Sequence, residues 1–212
     1  MIDTDLKSIE LSTYRAAVDS GLWDFMLASI VAMFSIAPLL SVHLGDFWSS
    51  AVFLPVFVAV LVAIRVVQKR VVEPRIGFVE FARPRRQRML VFGVVMLVVN
   101  SVAFVAGLLV AVREPVMDGP IVSFIMSMVI LAGFTLASFF LEIPRVFIYG
   151  LLLAAAPVVG EALFVRGYAS HHGFPIVFGV CSVVILVSGT LRFIRFLPGR
   201  QAGDGIPASG GS

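Results

Sequence analysis

Apolar residues in this chain run in long unbroken blocks instead of alternating with polar ones. Six blocks, at 25–44, 47–67, 89–112, 121–141, 146–165 and 176–197, carry few or no charged side chains. A hydrocarbon core about 30 Å thick needs roughly 20 residues of helix at about 1.5 Å per residue, so each block is long enough to cross a bilayer. The breaks between them hold turn-forming or charged residues: HLGD, REPVMDGP, EIPR and RGYASHHGFP. The pattern predicts an all-α fold, a polytopic membrane protein built as a bundle of six transmembrane helices over 21–197, with short connections everywhere except 68–88.

Composition agrees with lipid as the solvent. Of the 212 residues 59% are hydrophobic and 14% charged, with a mean hydropathy of +1.04. An ordinary soluble domain carries about 25% charged residues. The single cysteine, Cys181, excludes an internal disulfide framework and any multi-cysteine metal centre. The start of the chain mixes acids and bases without the profile of a secretory signal, so the first span is expected to be retained. Residues 1–20 read as a short amphipathic or frayed segment, with Ile2, Leu6, Ile9 and Thr13 at helical spacing. The Gly-, Pro- and Ser-rich residues 198–212 read as a disordered tail.

The net charge of +3 matters less than its placement. The long connection holds Lys69, Arg70, Arg75, Arg83, Arg85, Arg86 and Arg88, which places it in the cytoplasm by the positive-inside rule. With six spans both termini are then cytoplasmic. Of the 16 basic residues only Arg113 and Arg166 fall on the outer side. Trp23 and Tyr149 take inner boundary positions, and Trp48 and Tyr168 outer ones, as aromatic anchors do. A prokaryotic inner membrane is the expected location.

Ionisable groups inside spans are costly, which makes them functional candidates. Glu161 lies about one turn inside the outer end of the fifth span and shares a helical face with Gly150, Ala154 and Pro157. Those residues allow a neighbouring helix to approach, and Pro157 frees a backbone carbonyl near Leu153. Glu161 is thus a candidate proton or cation site, with Asn100 and Pro157 as further transport candidates; the bland reading pairs its carboxylate with Arg166 near the surface. Asn100, on the face of Gly93, Ala103 and Gly107, serves equally well as interhelical packing glue. His43, His171 and His172 all fall on the outer side, but their spacing is not that of a metal site, so they read as solvated loop histidines and no cofactor is expected.

The stretch Glu161-Ala162-Leu163-Phe164-Val165-Arg166-Gly167-Tyr168 resembles the EExxxRG segment of intramembrane CAAX-processing and bacteriocin-processing proteases. In that family paired glutamates activate water and later histidine motifs complete the site. Here Ala162 stands at the second glutamate position and no FxxxH or HxxxN follows, so protease activity is not expected.

Within the loop, Arg75 to Phe81 (RIGFVEF) is β-prone between Pro74 and Pro84 and predicts a short extended segment. This PRIGFVEF stretch, GLWDF at Gly21 to Phe25 and GTLRFIRFLP at Gly189 to Pro198 together resemble a prokaryotic family of multi-span integral membrane proteins with a PRIGYVKF-like cytoplasmic loop. The resemblance implies an architecture and no activity. The basic cluster Arg83, Arg85, Arg86 and Arg88 fixes topology and attracts anionic headgroups, worth about 1 kcal/mol per residue near the surface. Nucleic acid is not an expected partner, since no binding module accompanies the cluster.

The leading reading is a non-enzymatic membrane component that associates with lipid, itself or a protein partner through Arg75, Phe78, Phe81 and the basic cluster. A small-solute or proton- or ion-coupled transporter using Glu161 is the alternative, and a membrane enzyme ranks third.

Overall fold

The computed structural model describes residues 20–72, 74, 90–99, 101, 105 and 119–197. Its helices are α1 (Leu22–Ala51), α2 (Phe53–Val67), α3 (Leu90–Val99), α4 (Gly119–Leu141), α5 (Pro144–Val165) and α6 (Phe174–Phe196). No strand occurs among the described residues. Five helical stretches are long and apolar enough to cross a membrane: Leu22–Gly45, Phe47–Val72, Gly119–Leu141, Pro144–Val165 and His171–Phe196. This is the architecture of a multi-pass membrane protein. Of the third expected span, α3 and two further residues are described. The expected extended segment from Arg75 to Phe81, the basic cluster, the N-terminal segment up to residue 19 and the tail from 198 lie outside the described residues.

Local chemistry explains where these helices break. Gly45 leaves the helical region at φ 75° and ψ 164°, inside the HLGD turn, and separates the first two spans. The second span ends in a π-helical turn, Gln68–Val72, that carries exposed Lys69 and Arg70. Between α4 and α5, Glu142 adopts a left-handed φ of 57° and Pro144 opens α5 at a position where its missing N–H costs nothing. Ser138 ties this corner down, its hydroxyl donating to the Ile143 carbonyl at 3.1 Å.

Burial follows a lipid logic. α2 has no buried residue, and Leu54, Leu97 and Phe139 are each at least two-thirds exposed. In water such apolar surface would drive association; in a bilayer it is the surface that meets acyl chains. What is buried is mainly small or polar: Ala28, Ser35, Ser49, Ser123, Ser127, Ala156 and Ser182. Small residues let helix backbones approach closely where dispersion and hydrogen bonding must supply cohesion.

The chain divides into two compact units, α1 and α6 contributing to both. In the first, from residues 20–30, 51–74 and 183–197, Gly21 packs against Gly189, so closely that a side chain on Gly21 would meet the Gly189 carbonyl oxygen at 2.5 Å. Beside this contact Phe25 and Phe193 meet edge to face at 6.1 Å. In the second, from residues 31–50, 90–105 and 119–182, α4 and α5 form an antiparallel pair in which Gly150 receives the Phe134 side chain. Ser35 of α1 donates to the Pro175 carbonyl at 2.7 Å and also lies against Gly179, which fixes the start of α6 in that unit.

Candidate functional site

Among the described residues of the second unit one carboxylate is buried, that of Glu161, five residues before the turn residue Arg166 that ends α5. The buried face of α5 runs through Gly150, Leu153, Ala154, Pro157, Gly160 and Glu161. This stripe packs against α4, and the helix pair therefore carries the carboxylate inward. Its side chain is 8% exposed.

The partner of Glu161 comes from the connection to α6. His172 Nδ1 lies 2.8 Å from Glu161 Oε2, an ideal separation for a charge-assisted hydrogen bond. The expected pairing with Arg166 is thereby corrected: the turn supplies an imidazole that satisfies the carboxylate first. His172 keeps the exposure expected of a loop histidine, its side chain 51% exposed, but it is held by a partner that the sequence did not indicate. Phe164 stacks on the imidazole at a centroid distance of 4.3 Å, and Phe174 lies 6.4 Å away on α6.

An unusual backbone delivers the imidazole. His171, His172 and Gly173 have φ values of 51°, 52° and 68°, three consecutive residues in the left-handed region. Each non-glycine residue there costs about 1–2 kcal/mol, because Cβ crowds the following carbonyl. Two glycines make the arrangement possible. A Cβ on Gly160 would sit 2.6 Å from the His172 carbonyl oxygen, and one on Gly173 would collide with the Gly160 backbone. The turn thus rests directly on α5, one residue before Glu161.

On the far side of the carboxylate, Oε1 approaches Gly119, where any side chain would overlap it. The same carboxylate lines a cavity of about 400 Å³ between α4 and α5. Pro120, Ser123 and Phe124 form one wall; Val158, Ala162 and Val165 form the other; Arg166 is the second charged group. Deeper along α4, Ser127 is buried and its hydroxyl finds no hydrogen-bond partner among the described residues. The register set by the Gly119–Glu161 and Phe134–Gly150 contacts puts Ser127 opposite the turn from Ala154 to Pro157. Pro157 has no N–H for the Leu153 carbonyl, so the α4–α5 seam stays polar for about two turns below Glu161.

The remaining candidates disperse. His43 is exposed on α1, and no cluster of three or more His, Cys, Asp or Glu side chains suited to a metal ion occurs among the described residues. Asn100 lies outside the described residues, as do Arg75, Phe78, Phe81, Arg83, Arg85, Arg86 and Arg88.

A second buried acid was not foreseen. In the first unit, Asp24, in the first turn of α1, has its Oδ2 3.8 Å from Nε of Arg192 on α6, with side-chain exposures of 3% and 39%. The sequence signal was a matched pair of tetrads, Gly21-Leu22-Trp23-Asp24 and Gly189-Thr190-Leu191-Arg192, each a glycine followed three residues later by a charge. No protein-family model, curated protein or solved structure matches this chain.

Proposed function

We propose that this protein crosses a prokaryotic cell membrane six times with both termini in the cytoplasm, and that Glu161 and His172 form a protonation site coupled to movement of a small solute or ion. α3 is then the described part of the third span, and the site lies toward the outer face.

The observation that carries this reading is the gradient of exposure across one hydrogen bond: a half-exposed imidazole joined at 2.8 Å to a carboxylate that is 8% exposed and lines a cavity. With His172 as imidazolium the pair is neutral overall. With a neutral imidazole whose Nδ1–H donates, the pair carries one negative charge. A charge left unpaired at the edge of a hydrocarbon layer is costly, so loss of the proton favours entry of a solute that brings a positively charged group to the carboxylate. Proton and solute charge would in this way substitute for one another. The reading as a loop-mediated assembly component rests on residues outside the described set.

The test is flux in reconstituted vesicles. With an imposed pH gradient the native protein should release or take up protons when its solute is supplied, and Glu161→Gln should abolish that coupling while the protein inserts and purifies normally. Full proton-coupled flux in Glu161→Gln would refute the assignment.

A further inference from the structure

We infer that the α4–α5 cavity accepts an α-amino acid zwitterion with an apolar side chain, of the size of leucine or phenylalanine; this names the solute class of the site proposed above and rests on that reading.

The cavity walls carry one anion and one cation. Glu161 supplies a buried carboxylate, and Arg166, exposed at the end of α5, supplies a guanidinium. With them the lining includes apolar Phe124, Val158 and Val165, and the Ser123 hydroxyl adds one neutral polar group. A simple amine would satisfy Glu161 and leave Arg166 unmatched against a second cation. A simple carboxylate would satisfy Arg166 and be repelled by Glu161. A molecule bearing an ammonium and a carboxylate on the same carbon answers both, and it is neutral overall, as a site close to lipid requires. Its apolar substituent would lie against Phe124 and Val158. A volume of about 400 Å³ falls within the usual range for small-molecule sites, about 300–1,000 Å³, near the small end that suits a single amino acid.

The position of His172 fits the same ligand. Its imidazole bonds Oε2 of Glu161 and is not among the cavity-lining groups, so it can adjust the charge on the carboxylate without occupying the ligand's place. When the imidazole is neutral, the ammonium meets a full negative charge; when it is imidazolium, that charge is already paired. Ligand binding and proton loss are then two sides of one exchange.

The test uses the full chain in lipid nanodiscs with three probes: L-leucine, 3-methylbutylamine, which lacks its carboxylate, and 4-methylpentanoate, which lacks its ammonium. Calorimetric titration should show leucine binding at least tenfold more tightly than either analogue. Glu161→Gln and Arg166→Gln should each weaken leucine by about tenfold or more, the loss associated with one charged hydrogen bond. Arg166 is exposed, so Arg166→Gln folds even if a change at Glu161 does not, and it should erase the preference for leucine over the amine. No binding of leucine or phenylalanine, equal binding of the amine, or an unaffected Arg166→Gln variant would each overturn the inference. Glu161-dependent proton flux with the amine and none with leucine would sink the zwitterion while leaving the protonation site standing. Leucine binding that depends on both residues, without accompanying proton flux, would do the reverse.

Discussion

Asp24 and Glu161 are both buried acids held against glycines and paired with a base, yet their surroundings are opposite. Asp24 stands in the first turn of α1, where the helix dipole favours an anion, and its partner Arg192 lies on α6. Gly189 lies against the Asp24 side chain, and the backbone conforms apart from Gly21, a glycine at φ 80°. Glu161 stands near the C-terminal end of its own helix, where an anion is disfavoured, and its partner arrives on two left-handed histidines. The first pair is consistent at every level from local preference to packing. The second is assembled against local preference, and departures of that kind concentrate at functional sites. The bases differ too: a guanidinium is always charged, whereas an imidazole can hold its second proton or give it up. One pair reads as a staple, the other as a switch.

Removing one charged partner from each should separate them most sharply. Arg192→Met deprives a 3%-exposed carboxylate of its cation, and breaking a buried pair from one side costs about 3–5 kcal/mol. Because Arg192 is itself partly exposed and Asp24 can take up a proton instead, the lower end of about 3 kcal/mol is expected, seen as a marked fall in the thermal unfolding midpoint in detergent. Glu161→Gln should instead shift stability by less than about 1 kcal/mol, because the amide is isosteric and leaves no anion at the helix C-terminus. Its effect should fall on flux. If Arg192→Met proved harmless to stability and Glu161→Gln did not, the assignment of roles would be inverted.

A second test acts on the turn itself. In Gly160→Ala the new methyl meets the His172 carbonyl at 2.6 Å, backbone against side chain, so the turn must lift off α5. Overpacking of this sort costs about 1–3 kcal/mol. The larger consequence is that His172 Nδ1 moves out of reach of Glu161, and coupled flux should fall with it. An alanine at Gly45, where nothing lies within 4 Å, provides the contrast: its positive φ is strained, but no partner is displaced and flux should be unchanged. Retained flux in Gly160→Ala would detach the turn from the function.

Much of the fold was legible because bilayer thickness imposes a length on every apolar block: the breaks at HLGD and EIPR fall where Gly45 and Pro144 interrupt the helices. The buried face of α5 was legible for a similar reason, since Gly150, Ala154, Pro157 and Glu161 recur at helical spacing. The partners of the two acids were not. Asp24 and Arg192 are brought together by glycine contacts between opposite ends of the chain, and nothing local to either tetrad specifies the other. The pairing of His172 was not legible because a histidine in a polar loop ordinarily has no fixed partner. Only the glycines at 160 and 173 hinted that this loop returns to the helix, and their meaning depends on a backbone conformation that periodicity does not encode.

The smallest expected effect is also the most discriminating about strain. His171 and His172 share nearly the same left-handed φ, 51° and 52°, but only His172 bonds Glu161. Glycine enters this region without penalty, though it loses more freedom on folding, by about 0.5–1 kcal/mol. Set against the 1–2 kcal/mol that a side chain costs there, His171→Gly should raise stability by about 0.5–1 kcal/mol and leave coupled flux intact. His172→Gly relieves the same strain while deleting the 2.8 Å bond and the stacking on Phe164, so its thermal midpoint should rise less than that of His171→Gly or fall, and coupling should be lost. The two variants thus differ by one side chain's contacts at matched backbone geometry. Equal midpoints and equal flux in both would mean that the left-handed turn serves the chain reversal into α6 and that the imidazole is incidental to it.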